Sequence, residues 1–370
     1  MKNNILQITG FPEGGIGTHV ISLCQELIEE YNISLVANFT QQDENFRTAF
    51  KVIAPSMSNI TDIKINKKPS INDLYNLYNL YNLYKNKNIN LIHGHGAKGG
   101  LYARILGYLL KSKVVYTPHG GSLHDMHGKV MGHVYILIEK FLFLFTDKFI
   151  FESKYSKNIF IKKINKKTNK LIVNYNGVKI DHDFTKNIFD KSKIEIASFG
   201  LLRNLKGHDI LIKAISTLID EKYNIKLTIY GSGEEKENLE CLISELNLDS
   251  QVQLFGFVND TKKYMKKSDI IVHPSRFEAL PYVPIEAMNL CKPVIVSNVG
   301  GLTEIVIDEE NGLVFENECI ECLVQKIKKI ILLDELREKI SNNGKKTVLT
   351  LFDEKNMINN LKNIYTGIVD

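Results

Sequence analysis

Short apolar runs alternate along this chain with longer stretches whose apolar residues recur three or four positions apart. The first run, Ile5-Leu6-Gln7-Ile8, reads as a buried strand. It leads through Pro12-Glu13-Gly14-Gly15-Ile16-Gly17 into an amphipathic helix over residues 18–30, and Ile33-Ser34-Leu35-Val36 is the next strand. Strand, glycine loop, helix and strand in succession make the unit of a parallel sheet. Asn90-Leu91-Ile92-His93 and Lys113-Val114-Val115-Tyr116 supply further strands, each followed by glycines and a helical run. Residues 74–84 repeat Leu-Tyr-Asn. A period of three drifts around a helix of about 3.6 residues per turn, which predicts a surface helix before the strand at Asn90. Residues 134–151 are strongly apolar, broken by Glu139, Lys140, Asp147 and Lys148, and read as one helix.

From Asn176 to Phe184 the chain is polar and turn-rich, which predicts a linker. Beyond it the pattern restarts. Strands are expected at 194–199, 226–230, 251–255, 270–273 and 293–297, with helices over 207–219 and 234–246 and others closing the chain. The expectation is an α/β protein of two similar domains, 1–172 and 191–352, joined by a linker at 173–190. A helix over 353–370 is expected to cross back to the first domain.

A length of 370 residues suits two domains, and 44% hydrophobic with 24% charged residues excludes a disordered chain. No apolar run reaches the roughly 18 residues of a spanning helix, and the first residues do not form a signal peptide. The five cysteines, Cys24, Cys241, Cys291, Cys319 and Cys322, are few and odd in number, which points to a reducing, cytoplasmic setting. Charge is uneven. Residues 1–172 hold 22 Lys and Arg against 12 Asp and Glu, a net +10, and the remainder holds 25 against 30, a net −5. The first domain is therefore expected to face something anionic, either nucleic acid or a membrane surface bearing a lipid-linked acceptor. Seven lysines between Lys154 and Lys170 with no acidic residue, next to the apolar 134–151 stretch, make peripheral membrane contact one of the expectations.

The candidate chemistry gathers after strands. Glu278-Ala-Leu-Pro-Tyr-Val-Pro-Ile-Glu286 sets two glutamates around Pro281 and Pro284. Those prolines exclude a helix interior and predict a helix starting near Pro284, with Glu286 in its first turn. Glu278 then lies at the carboxyl end of a strand, where parallel sheets bind ligands. Carboxylates accept hydrogen bonds from sugar and ribose hydroxyls, and a helix start offers amides to phosphate. Gly200-Leu-Leu-Arg203-Asn-Leu-Lys206-Gly207 follows another strand, with Arg203 and Lys206 placed for a diphosphate. Tyr230-Gly231-Ser-Gly233 repeats the strand-to-glycine turn, so three strand ends converge on an anionic ligand. In the first half, Gly14-Gly15-Ile16-Gly17 lets backbone approach a ligand, and Thr117-Pro118-His119-Gly120-Gly121 puts His119 at a strand end.

Taken in order, these segments together with Asn176-Gly177-Val178 resemble the family 4 glycosyltransferases, over nearly the whole chain from Ile5 to about Leu351. The resemblance implies the GT-B fold, two Rossmann-like domains facing across a cleft, and a retaining enzyme that needs no metal or cofactor. It implies a nucleotide-sugar donor, with UDP the expected nucleotide, and a glycan or lipid-linked acceptor. By position, Glu286 would bind the ribose hydroxyls and Glu278 the transferred sugar, beside the backbone of Ala279, Leu280 and Pro281. Arg203 and Lys206 would neutralise the leaving diphosphate, and His119 would contact the donor sugar. Gly15 and Gly17 would border acceptor and phosphates, while Gly231, Phe257 and Val258 would line the base pocket. Many relatives carry arginine directly after the glycine matching Gly200, where this chain has Leu201, and Arg203 lies two positions further on.

Other signals are set lower. Asp181-His182-Asp183 matches a metal-binding D-x-D but lies in the expected linker, and Cys319-Ile-Glu-Cys322 has no second pair. His93, His95, His124, His127 and His133 show no ligand spacing and are read as turn and surface residues, with His124 and Asp125 near the acceptor site. Two competing readings are a GT-B epimerase of nucleotide sugars and a non-enzymatic nucleic-acid-binding protein. Against the latter, no binding module is visible and stacking aromatics do not interleave with the lysines. Oligomeric state is not written in the sequence.

Overall fold

The computed structural model describes residues 2–66, 69–120, 129–183 and 189–369. Gly121, His124, Asp125, His127 and Phe184 lie outside the described residues. The chain divides into two compact units, 1–175 with 357–370, and 176–356. The division falls at Tyr175/Asn176, inside the stretch expected to be a linker. Residues 176–181 are not free: the Val178 amide donates to the Phe352 carbonyl, and the Asp181 amide to Asn289.

The first unit runs β1 (Asn4–Thr9), α1 (Gly14–Leu27), β2 (Asn32–Ala37), α2 (Glu44–Ile53), β3 (Asn59–Asp62), α3 (Ile71–Tyr84), β4 (Leu91–His95) and α4 (Gly96–Leu110). It continues with β5 (Lys113–Thr117), α5 (Lys129–Leu142), β6 (Lys148–Phe151), α6 (Lys154–Ile164) and β7 (Leu171–Val173). Its seven strands are all parallel, in the order β3-β2-β1-β4-β5-β6-β7. The second unit holds β8 (Ile194–Phe199), α7 (His208–Asp220), β9 (Ile225–Tyr230), α8 (Lys236–Glu245), β10 (Val252–Gly256), α9 (Thr261–Lys267) and β11 (Ile270–His273). After these come α10 (Tyr282–Asn289), β12 (Val294–Ser297), α11 (Leu302–Ile305), β13 (Leu313–Phe315), α12 (Ile320–Leu332) and α13 (Asp334–Leu351). Its six parallel strands are ordered β10-β9-β8-β11-β12-β13. The two doubly wound sheets make the fold α/β and Rossmann-like in each unit, and both place β1 or β8 at the switch in strand order, where ligands bind.

The last helix, α14 (Glu354–Val369), starts in the second unit and belongs to the first from Met357 onward. There Met357, Ile358, Leu361 and Tyr365 join the buried cluster of Ile5, Val20, Leu23 and Ile33.

Three local expectations are corrected. The 134–151 run is not one helix: α5 ends at Leu142, and β6 occupies Lys148–Phe151 in the sheet interior. The glycines at 14–17 are not a loop before a helix but the first turn of α1. Finally, α10 begins at Tyr282, so Glu286 lies in its second turn. The Leu-Tyr-Asn tract does form α3, with Leu77, Leu80 and Tyr84 buried and Tyr75 and Tyr78 exposed as the drifting period requires.

A buried ion pair locks the first unit. Arg104 of α4 meets Glu139 of α5 through two hydrogen bonds of 2.6 and 3.1 Å, and its guanidinium covers the Tyr116 ring at 4.2 Å. Neither side chain reaches solvent appreciably. Arg104→Ala is expected to destabilise the protein by about 3–5 kcal/mol, because Glu139 loses its cationic partner inside the core. Replacing both residues with leucine should recover most of that loss. Urea unfolding of the single and double variants measures it.

Candidate functional site

The second unit brings its candidate groups to the carboxyl ends of β8, β9 and β11. β8 ends at Phe199, and Gly200 starts a loop that tightens into one 3₁₀ turn, Asn204–Lys206. The turn closes at Gly207, whose left-handed φ of +66° starts α7. A Cβ at Gly207 would run into the Pro274 carbonyl, so the loop is held hard against the end of β11. Gly231 is packed equally closely, since a Cβ there would meet the Gly200 carbonyl.

These contacts aim Lys206 at Glu278, with Nζ 2.5 Å from Oε1. The same oxygen accepts from Ser275 Oγ at 2.8 Å and lies 2.8 Å from His273 Nε2. Three donors thus converge on Oε1, and Oε2 has no partner among the described residues. Burial alone would raise the Glu278 carboxyl, but the Lys206 charge and the His273 hydrogen bond outweigh it and hold the group well below the usual carboxylate range. Glu278 is therefore an anchored carboxylate with one open oxygen. The segment that follows is fixed by its backbone: the Gly301 amide donates to the Glu278 carbonyl at 3.0 Å, and Asn176 Nδ2 donates to the Leu280 carbonyl at 3.0 Å. Ala279, Leu280 and Pro281 form the lead-in to α10, with Pro281 at its N-cap.

Glu286, half-buried on α10, makes no side-chain hydrogen bond among the described residues, and burial pushes its carboxyl up to about 7. Arg203 is half-buried, and its Nε lies 3.7 Å from Glu234. It is the one expected cation that the structure does not bring to Glu278. Phe257 is exposed and Val258 half-buried, directly after β10.

In the first unit, Gly17 is buried against the Pro12 carbonyl while Gly15 is exposed. His119 follows β5 with a left-handed φ of +49°, a conformation seldom adopted by residues with a side chain. Its Nε2 lies 3.2 Å from His95 Nδ1, and its ring centroid is 4.9 Å from that of His19. His93 and His95 are buried, which corrects their reading as turn and surface residues. Burial, together with the neighbouring imidazoles, holds His93, His95 and His119 well below the usual histidine range, so all three are neutral at pH 7. His133 is exposed on α5.

Sequence reasoning missed His273, Ser275, His19 and His95. The first two are spaced for a strand-end loop around Glu278, but a polar triplet after a strand has no signature of its own. His19 and His95 lie far apart in the chain and meet only because β1 pairs with β4. In the D-x-D segment Asp181 is buried and salt-bridged to Lys262 at 2.7 Å, whereas Asp183 is exposed. Cys319 and Cys322 are joined in a disulfide at the start of α12.

Two family models match the chain, "Glycosyltransferase Family 4" over residues 13–182 and "Glycosyl transferases group 1" over residues 179–347. The chain is 34% identical over 268 residues to an uncharacterized glycosyltransferase of Methanocaldococcus jannaschii, covering 70% of this chain and 71% of that one. It is 27% identical over 315 residues to the UDP-Gal:alpha-D-GlcNAc-diphosphoundecaprenol alpha-1,3-galactosyltransferase of Escherichia coli, covering 81% of each. Among solved structures, Anabaena HepE in complex with UDP and glucose superposes with a TM-score of 0.84 at 20% identity, over 99% of this chain and 100% of that chain. At that identity the likeness concerns the fold alone.

Proposed function

The chain belongs to the family 4 glycosyltransferases, and from that premise we propose a retaining, metal-independent transfer of a sugar from a UDP-sugar to a glycan or lipid-linked acceptor. The observation that carries the reading is the triple anchoring of Glu278 Oε1 by Lys206, His273 and Ser275. It presents Oε2 for a sugar hydroxyl and holds a cation beside the place where a diphosphate leaves. An ammonium carries three N–H donors, and Glu278 engages one of them, leaving two for phosphate oxygens.

In the proposed reaction the bond between the sugar's anomeric carbon and the diphosphate oxygen breaks, and charge builds on that oxygen. Lys206 stabilises the charge, with Arg203 swinging from Glu234 as a second donor. The departing phosphate oxygen takes the proton of the acceptor hydroxyl, and the new bond forms on the face just vacated. Glu286 accepts the ribose hydroxyls, His119 contacts the donor sugar, and Gly231, Phe257 and Val258 border the base. Gly15 and Gly17 border the acceptor side. A thermal-shift panel of UDP, GDP, ADP and their sugar conjugates tests the reading, since a ligand of the native state raises its apparent stability. Stabilisation by UDP compounds is expected, and no stabilisation by any nucleotide would overturn it.

Glu286 gives this binding a pH dependence. Its folded carboxyl titrates near 7 rather than the usual 4.5, so the free protein favours the protonated form. That preference contributes stability in full below about 4.5, and the contribution is lost as pH rises through about 7. Ribose hydroxyls favour the ionised form instead. Affinity for UDP-glucose or UDP-galactose, whose diphosphates do not titrate in this range, should rise up to about tenfold per pH unit between 5 and 7 and then level off. Calorimetric titration should show this rise in the wild type and a flat profile in Glu286→Gln. A flat wild-type profile would remove Glu286 from the ribose.

The same premise extends to where the enzyme works. The E. coli relative acts on a diphosphoundecaprenol substrate, and α5 here exposes Leu137 and Phe141, with exposed Leu144 in the turn just after it, ahead of the lysines of α6. No helix among the described residues is long and apolar enough to cross a membrane. We infer peripheral contact with the anionic inner face of the cytoplasmic membrane. Leu137→Ser with Phe141→Ser should lower co-sedimentation with phosphatidylglycerol vesicles about tenfold or more.

A further inference from the structure

Of the first unit's described histidines the transferase reading uses only His119, and that residue belongs to a cluster of three. His19 on α1, His95 at the end of β4 and His119 after β5 converge so that one nitrogen from each lies within 4.8 Å of the others. We propose that these three residues bind a divalent transition metal ion of the zinc, cobalt and nickel class, and that its binding inhibits the enzyme.

The hydrogen-bond network behind them fixes what His95 offers. Gln7 Nε2 donates to the Tyr365 hydroxyl at 3.1 Å, so the hydroxyl's own proton goes to His93 Nδ1, 2.6 Å away. His93 then carries its proton on Nε2 and donates it to Thr117 Oγ1 at 2.8 Å. Both nitrogens of His93 are engaged, which removes it as a ligand although its ring lies 4.0 Å from that of His95. Gln7 Oε1 accepts from His95 Nε2 at 2.8 Å. His95 is thereby locked in the tautomer whose Nδ1 lone pair points at His119. Metal-binding histidines are oriented by this kind of outer hydrogen bond to a carbonyl oxygen.

The distances suit an ion. Nitrogens bound to zinc at about 2.0–2.1 Å in a tetrahedron are about 3.3 Å apart. His95 Nδ1 and His119 Nε2 are already at 3.2 Å, and the His19 ring stands 5.7 Å from His95 and 4.9 Å from His119, within reach of a rotamer change. The metal-free pair is satisfied by His119 Nε2–H donating to His95. To bind an ion, half-buried His119 moves that proton to Nδ1 through solvent, and both inner lone pairs are then free. The donor set is entirely imidazole with no carboxylate, which favours zinc, nickel, cobalt or copper over magnesium and manganese. Three ligands leave a fourth position for water or a ligand of the enzyme. The inhibitory half of the proposal rests on the role proposed for His119 at the donor sugar, because an ion held there removes its nitrogen from that contact.

The full-length protein, stripped with EDTA, should bind one Co²⁺ with the intense visible bands of four- or five-coordinate cobalt, and Zn²⁺ should abolish them. Magnesium at millimolar concentration should leave them unchanged. His19→Asn and His95→Asn should each weaken Co²⁺ binding at least tenfold. His119→Gln, at a half-buried side chain that meets the Gln7 network only through its hydrogen bond to His95, should do the same without lowering the melting temperature. Weak hexa-aqua bands, or Co²⁺ binding that survives His119→Gln, would overturn the site. Micromolar Zn²⁺ should suppress sugar transfer in the wild type, with EDTA restoring it. Metal binding without any effect on transfer would overturn the inhibitory half. Metal binding in a protein that transfers no sugar would leave the site standing and remove the function instead.

Discussion

Lys206→Ala is expected to lower kcat by about 10²–10³-fold while changing KM for the donor far less. An interaction aimed at charge that develops in the transition state costs that much when removed, whereas ground-state binding is shared among many contacts. Lys206 is placed for this role by the Gly200–Gly207 loop, and its one side-chain hydrogen bond among the described residues goes to Glu278. The substitution also leaves the buried Glu278 carboxylate with only His273 and Ser275, at a cost of about 1–3 kcal/mol. A second variant separates the two effects. In Lys206→Ala with Glu278→Gln the uncompensated charge is gone, so stability returns toward wild type while kcat stays low. Steady-state kinetics with urea unfolding measures both. Equal kcat in wild type and Lys206→Ala would take the leaving-group role away from this residue.

Gly207→Ala should cost the second unit about 2–4 kcal/mol of stability. Two costs add. The residue sits at a left-handed φ of +66°, and its new methyl would strike the Pro274 carbonyl, which is backbone and cannot swing aside. Gly14 supplies the control, with a left-handed φ of +55° but open space around its missing Cβ, so Gly14→Ala should cost about 1 kcal/mol. The Gly207 variant that still folds must shift the turn carrying Lys206. A displacement near 1 Å at a positioning group costs about 10²-fold in rate. Activity should therefore fall further than the fraction unfolded accounts for, while Gly14→Ala shows no such excess.

The residues around Glu278 show how far the primary structure could be read. Glu278, Lys206 and the strand before each were legible because glycines and prolines punctuate that region, and each motif follows an apolar run. Arg203 was legible as a cation but not as a partner of Glu234, because reach depends on a loop path that no spacing records. His273 and Ser275 were hidden for a related reason, as a buried hydrogen-bond donor looks like any polar residue until its acceptor is placed. In the fold, β6 was lost inside the 134–151 run because a continuous apolar stretch reads alike as helix or buried strand. Strands as short as Leu171–Val173 and Leu313–Phe315 fall below any period that can be counted. The triad of His19, His95 and His119 was beyond reach because sheet order, not sequence distance, makes it.

The placement of Tyr365 has a consequence for biogenesis. Its hydroxyl completes the polar chain running from Gln7 to His93, and Met357, Ile358 and Leu361 cover the same side of the sheet. Ribosomal synthesis delivers these residues only after the whole of 176–356 has emerged, so the nascent amino-terminal sheet waits with one face unsealed. The later-made unit, continuous in the chain, can fold first, and chaperone demand during translation falls on the earlier one.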